Sequence, residues 1–378
     1  MKQSWETKKL GEVCELYQPK TISSKEMIAG GEFTVFGANG PIGKYNKFNH
    51  EEPQLLITCR GATCGFVNIS EPKSWINGNA MVVKPIDGSV LNLKFLEYLF
   101  RGGIDLSKTI TGAAQPQITR QSLAPVLFSY PKSLQEQHRI VAILDDAFAK
   151  IDKAKANAEQ NLKNAKELFE SYLQGVFENK GDDWEEKRLK EISKEFGRGK
   201  SKHRPRNFEG LYGGKYPFIQ TGDIRNCNHY ITEFNQTYNE IGLSQSKLWP
   251  SGTICITIAA NIAETGVLTF DACFPDSVIG IVVNEKFAQR DFVEYLLQSF
   301  KTRIQALSKG SAQANINMGT FENELFPFPK VEEQSVIVQK LNAVSKETKK
   351  LEAIYEQKIK DLEELKKSVL QKAFSGEF

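Results

Sequence analysis

Two long stretches of the chain place apolar residues at alternating spacings of four and three. The first runs through Ile140, Leu144, Ala147, Ile151, Ala154 and Ala158, then Ala165, Leu168 and Tyr172. The second runs through Ile337, Leu341, Val344, Leu351, Tyr355, Leu362, Leu365 and Val369. A period near 3.5 sustained over about five heptads predicts coiled-coil helices. Neither stripe contains a proline, and roughly 40 residues at about 1.5 Å each give ~60 Å of helix. Asn161 interrupts the first seam, and Thr348 and Lys358 interrupt the second. Ser133-Leu-Gln-Glu136 has capping-box spacing after Pro131, so the first helix is expected to start there. Alanines on the first seam leave room for a bulkier partner. The two helices are expected to pair with each other; pairing of each with another chain is the alternative.

Elsewhere the apolar residues come in short runs. Gln54–Thr58, Ala80–Val83, Gly252–Ile258 and Val278–Val283 are bounded by Gly, Asn and Pro and are expected to be strands. Phe95–Arg101 and Asp291–Arg303 are expected to be short helices. These segments are mixed α/β with much loop.

The chain also repeats itself. Trp5-Glu-Thr-Lys-Lys-Leu10 returns as Trp184-Glu-Glu-Lys-Arg-Leu189, and Phe95-Leu-Glu-Tyr-Leu99 as Phe292-Val-Glu-Tyr-Leu296. Gly112-Ala-Ala-Gln-Pro-Gln-Ile118 returns as Gly310-Ser-Ala-Gln-Ala-Asn-Ile316, and Leu127-Phe-Ser-Tyr-Pro-Lys132 as Leu325-Phe-Pro-Phe-Pro-Lys330. Glu136-Gln137 matches Glu333-Gln334. Matches in one order at nearly one offset mark a tandem duplication. Four segments follow: globular parts over 1–132 and 181–330, and helices over 133–180 and 331–378. The offset grows from 179 to about 200 early in the second half, which locates a net insertion there.

Composition narrows the class. With 378 residues, 40% apolar and 25% charged, the chain is a folded protein of two or three domains, not a disordered or fibrous one. No apolar run approaches a membrane span, the first residues do not resemble a signal peptide, and none of the six cysteines forms a Cys-x-x-Cys pair. Reduced thiols and a cytoplasmic location are expected. Net charge is only +3, with 15 basic against 11 acidic residues in 1–132 and near balance elsewhere. An anion-binding surface would therefore be a local patch.

The search for catalytic chemistry is negative. Gly199-Lys-Ser201 has the tail of a phosphate loop, but Lys194 stands where its first glycine belongs, and Ala38 spoils Gly43-Lys44 in the same way. His50, His138, His203 and His229 form no metal spacing with cysteine. Pro275-Asp276 is not followed by an acidic-x-Lys pair, so an ordinary solvated turn is the expected reading there. No metal and no catalytic residue is expected in this chain.

Binding chemistry is better supplied. Arg198-Gly-Lys-Ser-Lys-His-Arg-Pro-Arg206, within the inserted region, packs Arg198, Lys200, Lys202, Arg204, Arg206 and His203 together without an acid. Arginine grips phosphate or guanine edges bidentately; a merely solubilising loop is the alternative. Gln220, Thr221 and Arg225 follow with groups suited to base edges. The first half offers Asn39, Lys44, Arg60, Thr63 and Asn79. Gln115 and Gln117, and Gln313 and Asn315, precede the last strand of each half; they either contact adenine or cap turns.

These residues resemble the specificity subunits of type I restriction–modification systems. The carriers are Trp5/Leu10 with Trp184/Leu189, Tyr216-Pro-Phe-Ile-Gln-Thr-Gly-Asp-Ile224, the Gly-x-x-Gln segments, Glu136-Gln137 before Ile140-Val-Ala-Ile-Leu144, and Lys372-Ala-Phe-Ser-Gly-Glu377. The similarity covers essentially the whole chain. One departure is that Pro329-Lys-Val-Glu-Glu-Gln lacks the serine cap. The resemblance implies two target recognition domains, over 1–132 and 181–330, each reading half of a split asymmetric DNA site. It implies an antiparallel coiled coil of the two helices with a pseudo-twofold internal repeat. It also implies two modification subunits that methylate adenine with S-adenosylmethionine, and restriction subunits that use ATP and Mg. Those cofactors are expected on the partners, none in this chain. A specificity subunit of a single-chain restriction–methylation enzyme, or a coiled-coil adaptor that binds no DNA, are the other readings.

Overall fold

The architecture is that of a computed structural model describing residues 5–112, 115–203, 205, 208–259, 261–306, 316 and 318–375. By contact the chain divides into two units, residues 1–160 with 355–378, and residues 161–354. Among the described residues no helix is long and apolar enough to cross a membrane.

The first unit starts with β1 (Trp5–Lys9) and β2 (Cys14–Tyr17), continues through β3 (Phe33–Gly37), β4 (Gly40–Tyr45), β5 (Leu55–Thr58), β6 (Val67–Ile69), β7 (Trp75–Ile76) and β8 (Ala80–Pro85), and closes with β9 (Leu127–Pro131). Strands order as β2-β8-β5-β6 in one sheet and β4-β3-β7 in another, while β1 pairs antiparallel with β9. The expected strands at 54–58 and 80–83 are β5 and β8, neighbours in the first sheet and buried on both faces. Helix α1 (Leu93–Tyr98) starts at Asn92, whose side chain accepts from the Phe95 N–H, and runs on as a π-helical turn over Leu99–Gly103.

The second unit repeats this plan with additions. It contains β10 (Glu185–Arg188), β11 (Ser193–Arg198), β12 (Tyr212–Phe218), β13 (Tyr230–Ile231), β14 (Gln236–Tyr238), β15 (Leu248–Trp249), β16 (Ile254–Thr257), β17 (Thr265–Leu268), β18 (Ala272–Cys273), β19 (Val278–Val283) and β20 (Leu325–Phe328). Its sheets order as β11-β19-β16-β17-β13 and β14-β12-β18-β15, and β10 pairs with β20 as β1 does with β9.

The longer helices are α2 (Leu134–Glu178), α3 (Arg290–Ser299), the counterpart of α1, and α4 (Val331–Ser375). In the first unit the early part of α2 meets the late part of α4. Lys155 Nζ is 2.6 Å from Glu363 Oε1 and Lys366 Nζ is 2.8 Å from Asp152 Oδ1, so the helices run antiparallel. In the second unit Leu173 and Phe177 of α2 share a core with Val338 and Leu341 of α4.

The seam differs in part from the expected stripe. Ile140, Leu144, Ile151 and Leu341 are buried, and Ile337 and Leu362 pack against the cores. Leu168, Leu351 and Leu365, however, are 54%, 39% and 47% exposed. On α2 the inward face passes instead through Ala165, Phe169 and Leu173; Phe169 turns in because its ring meets Tyr295, centroids 6.1 Å apart. On α4 it passes through Ser345, Thr348, Tyr355, Ile359 and Leu362. Thr348, an interruption by apolarity, is buried, and its hydroxyl donates to the Val344 and Ser345 carbonyls. A helix of 3.6 residues per turn drifts about 20° per heptad against a strict 3.5 repeat. Satisfied hydroxyls then occupy positions that apolarity alone would assign elsewhere.

The same joint fastens each globular part to its following helix. Gln137 is fully buried; its Nε2 donates to the Val90 and Pro131 carbonyls at 2.8 Å each, and its Oε1 accepts from the Asn92 N–H at 2.8 Å. Gln334 does likewise with the Pro329 carbonyl at 2.8 Å and the Gln289 N–H at 2.7 Å. Both amides thus hold the start of α1 or α3 against a long helix. Glu136 is held by Arg139, 2.7 Å away. We expect Gln137→Leu, which keeps the volume but leaves three backbone groups without their partner, to cost about 3 kcal/mol of stability in urea denaturation.

Candidate nucleic-acid interface

At one edge of the first unit three chain segments converge. The turn between β3 and β4 carries Asn39, whose Nδ2 donates to Thr63 Oγ1 at 2.8 Å and whose Oδ1 accepts from Thr58 Oγ1 at 2.8 Å. The loop from Thr58 to Phe66 carries Arg60 and Thr63. A third segment, Thr111–Ile118, pairs with that loop: Arg60 and Gln117 form a β-bridge, and the Ile118 N–H donates to the Cys59 carbonyl at 2.9 Å. Asn79 joins through its own carbonyl, which accepts from the Cys59 N–H at 3.2 Å. Asn39, Arg60, Thr63, Asn79, Gln115 and Gln117 are all exposed. Gly112 sets the third segment, since at φ +87° a Cβ would stand 2.5 Å from the Gln115 carbonyl oxygen. Gln115 lies beyond that turn.

Lys44 is placed apart from this group. It sits four positions along β4 from Gly40, about 13 Å at strand rise, and its Nζ donates to Thr34 Oγ1 at 3.0 Å. Two contributors carried no sequence signal. Asn68 Nδ2 donates to the Ala38 carbonyl at 3.0 Å and steadies the turn. Phe66 is 61% exposed at the loop's end.

In the second unit the corresponding strand end is β12, which runs into a short helix over Thr221–Asn226. Gln220 stands at its N-cap and its Nε2 donates to Gln236 Oε1 at 2.5 Å. Ser201, Tyr212, Gln220, Thr221 and Gln236 line an open groove of 640 Å³. Arg225, at the far end of that helix, reaches Asn261 Oδ1 at 3.4 Å in the loop after β16, the counterpart of the Thr58–Phe66 loop. The third segment is represented by Ile316, whose N–H donates to the Ile258 carbonyl at 3.0 Å, as Ile118 does to Cys59. Gln236, the first residue of β14, and Asn261, set among alanines and Ile262, belong to no motif that would single them out in the sequence.

The basic segment leaves β11 beside that groove. Arg198 Nε donates to the Asp276 carbonyl at 2.8 Å. Gly199 is required, since a Cβ there would lie 2.3 Å from the Phe274 carbonyl oxygen. The Lys202 and His203 N–H groups both donate to Gln245 Oε1, and the His203 ring stacks on Phe208 with centroids 4.9 Å apart. These bonds use backbone groups, and the Lys200 and Lys202 side chains are exposed. Arg204, Arg206, Gln313 and Asn315 lie outside the described residues.

The chemistry on offer is hydrogen bonding and positive charge. Burial pushes the Cys59 thiol, beside Arg60, up to about 11 and the Cys227 thiol up to about 12, so neither is a ready thiolate. Among the described residues no three His, Cys, Asp or Glu side chains are grouped to hold a metal ion.

Comparison with known proteins identifies the fold and family. The family model described as type I restriction modification DNA specificity domain matches residues 2–164 and 181–361. The chain is 26% identical over 260 residues to the putative type I restriction enzyme MjaX specificity subunit of Methanocaldococcus jannaschii, covering 64% of this chain and 57% of that protein. It is 23% identical over 167 residues to the type I restriction enzyme StySPI specificity subunit of Salmonella potsdam, covering 42% and 36%. The matched region thus spans about half, or less, of these curated relatives' own length. In fold it is similar, with a TM-score of 0.77 at 18% identity over 98% of both chains, to a chain solved in work on complex assembly and conformational transition of the type I R-M system. The HsdS subunit of Thermoanaerobacter tengcongensis gives a TM-score of 0.62 at 18% identity, over 100% of this chain and 98% of that one. The chain belongs to the family of type I restriction–modification DNA specificity domains, whose model it matches in both of its repeats.

Proposed function

We propose that this chain is the DNA-specificity subunit of a restriction–modification complex and reads a bipartite, asymmetric site, one half with each repeat. The observation that carries this reading is the contrast between the two edges. Each is built from the same strand end, loop and final segment on a duplicated apolar frame, yet the exposed and half-exposed polar groups differ. Asn39, Arg60, Thr63 and Gln117 stand on one; Gln220, Thr221, Arg225 and Asn261 stand on the other. Amides and guanidinium groups recognise base edges by paired donors and acceptors, and unlike sets select unlike sequences.

The basic segment supplies phosphate contacts that position the second repeat without reading sequence. Gln313 and Asn315 are assigned to the second face by analogy with Gln115 and Gln117. Lys44, tied to Thr34, is assigned to the backbone rather than to bases. Catalysis is assigned to partners: two modification subunits using S-adenosylmethionine to methylate adenine, and restriction subunits using ATP and Mg, all recruited to this scaffold in the cytoplasm. The paired helices suit that role, because two half-sites must be matched in spacing and helical phase.

Two outcomes are expected. Replacing Arg204 and Arg206 together by alanine should weaken recognition of one half-site and spare the other in bipartite site mapping; equal recognition of both halves would remove that segment from the interface. The same variant should reduce the slope of log affinity against log salt by about 2, one for each phosphate no longer neutralised, when DNA binding is titrated against salt. A chain that shows no salt-dependent DNA affinity even with its modification subunits would instead be a protein adaptor.

A further inference from the structure

We infer that His229 is a positioning residue for the second reading face: held as an imidazolium between Asp291 and Glu294, it fixes the turn that follows the Arg225 helix. The inference rests on the DNA reading proposed above.

Glu294 is completely buried on α3, and its counterpart 197 positions earlier is Glu97 on α1. In the first unit that carboxylate is neutralised from its own helical segment, by Lys94 at 2.8 Å and Arg101 at 2.9 Å. The positions equivalent to those two cations are Asp291 and Gln298. The second unit therefore has an extra acid where the first has a base, and an amide where the first has a guanidinium. A buried carboxylate without a cation is costly. The missing positive charge arrives from another element. His229 Nδ1 stands 2.6 Å from Glu294 Oε2, and Nε2 stands 3.8 Å from Asp291 Oδ1.

Both ring nitrogens are buried and face carboxylates of α3. Glu294 Oε1 accepts from Thr265 Oγ1 at 2.8 Å and Gln298 Nε2 at 2.5 Å. Asp291 accepts from Arg290 Nε at 2.9 Å and the Tyr230 hydroxyl at 3.0 Å. His229 has φ +68°, a left-handed conformation rare for a residue with a side chain, and its carbonyl accepts from the Val267 N–H at 2.8 Å. Such a turn persists only where its surroundings hold it. It begins three residues after Asn226 ends the helix that carries Arg225.

Burial pulls the imidazole's pKa down, but hydrogen bonding to Asp291 and Glu294, together with their charges, more than reverses this and raises it to about 9 from 6.5. Burial also acts against Asp291, whose carboxyl is nevertheless held below its usual range by His229 and Arg290. Around the ring, Cys227 is pushed up to about 12 and Glu264 is paired with Lys301 at 2.9 Å. Tyr230 and Tyr295 are both shifted upward, first by burial. On the helix side a cavity of 330 Å³ is faced by Lys166 and Glu170 of α2 and by Lys349 and Glu352 of α4, with burial pulling Lys349 downward. Because the folded value of His229 lies above the unfolded one, its contribution is complete below 6.5 and is lost as pH rises through about 9.

The test uses the full chain in complex with the modification subunits it is proposed to recruit. Duplexes are selected from a randomised DNA library at about pH 7 and at about pH 9.5, on either side of that value. Wild type should select both half-sites at the lower pH. At the higher pH discrimination at the second half-site should fall roughly tenfold while the first is retained. His229→Gln should show the weakened second half-site at both values. Its hydrogen exchange should quicken over 221–230, with β16 and β19 still protected. A second half-site indifferent to pH in wild type, or retained in His229→Gln, overturns the inference. Should that variant lose protection in β16, the wild-type pH comparison decides alone. A wild type that selects no sequence at the lower pH sinks the DNA reading and this inference with it.

Discussion

Neither repeat closes its own globular core with the far end of its own helix. In the first unit Phe95 packs against Phe374 of α4, centroids 5.5 Å apart, and the π-helical turn presses Gly102 and Gly103 against Leu370 and Phe374. In the second unit Phe292 packs against Phe177 of α2 at the same 5.5 Å. Phe177 and Phe374 are equivalent residues of the duplication, 197 positions apart. One joint is therefore made twice with helix ends exchanged, and each core takes in residues from both repeats. Burying a phenylalanine is worth several kcal/mol (a change to alanine typically costs about 3–5). The antiparallel course of the helices follows from that exchange, and the exposed ion pairs along them fix direction more than strength.

The apolar frame repeats closely because it is buried. Trp5 meets Phe95 and Trp184 meets Phe292 at 6.3 and 6.2 Å, and Tyr98 bonds Asp145 where Tyr295 bonds Asn342. The two candidate edges are built from strand ends and loops at the surface, where a substitution usually changes stability by no more than about 0.5 kcal/mol. Rigid interior and free edge thus impose different tolerances on neighbouring residues. A duplicated scaffold can keep one shape while its two edges come to present unlike groups.

The frame was the legible part of the sequence for this reason. Strands such as Val278–Val283 announce themselves by uninterrupted apolarity, and both long helices by their period. The seam was less legible: Leu168, Leu351 and Leu365 look inward by heptad counting, yet they are exposed, because bulk at Phe169 and the satisfied hydroxyl at Thr348 decide the face. At the edges, sequence could nominate Arg60 or Gln220 by residue type. It could not show that Asn39 and Thr63, 24 residues apart, would bond one another, or that Asn261 would meet Arg225. Those pairings depend on which loops converge, and loops carry no periodicity. Asn77 shows the opposite hazard. An amide of the same type as its neighbour Asn79, it is buried instead, bonding the Ile22 N–H and carbonyl.

The carboxylate shared by both repeats shows how such divergence reaches inward. Glu97 and Glu294 occupy one buried position that needs a cation, and each unit meets the need with its own geometry. In the first, Lys94 and Arg101 lie in the same helical segment as Glu97, so the neutralising charges are indifferent to the loops beyond. In the second, the cation belongs to the turn after the Arg225 helix, so the buried charge and the edge hold each other in place. A lysine or arginine stays charged across ordinary pH, whereas an imidazole owes its charge to the acids around it. The first solution leaves its edge free to vary without disturbing the core. The second ties one loop of the edge to the core, which gives a firmer placement of that loop at the cost of its freedom to change.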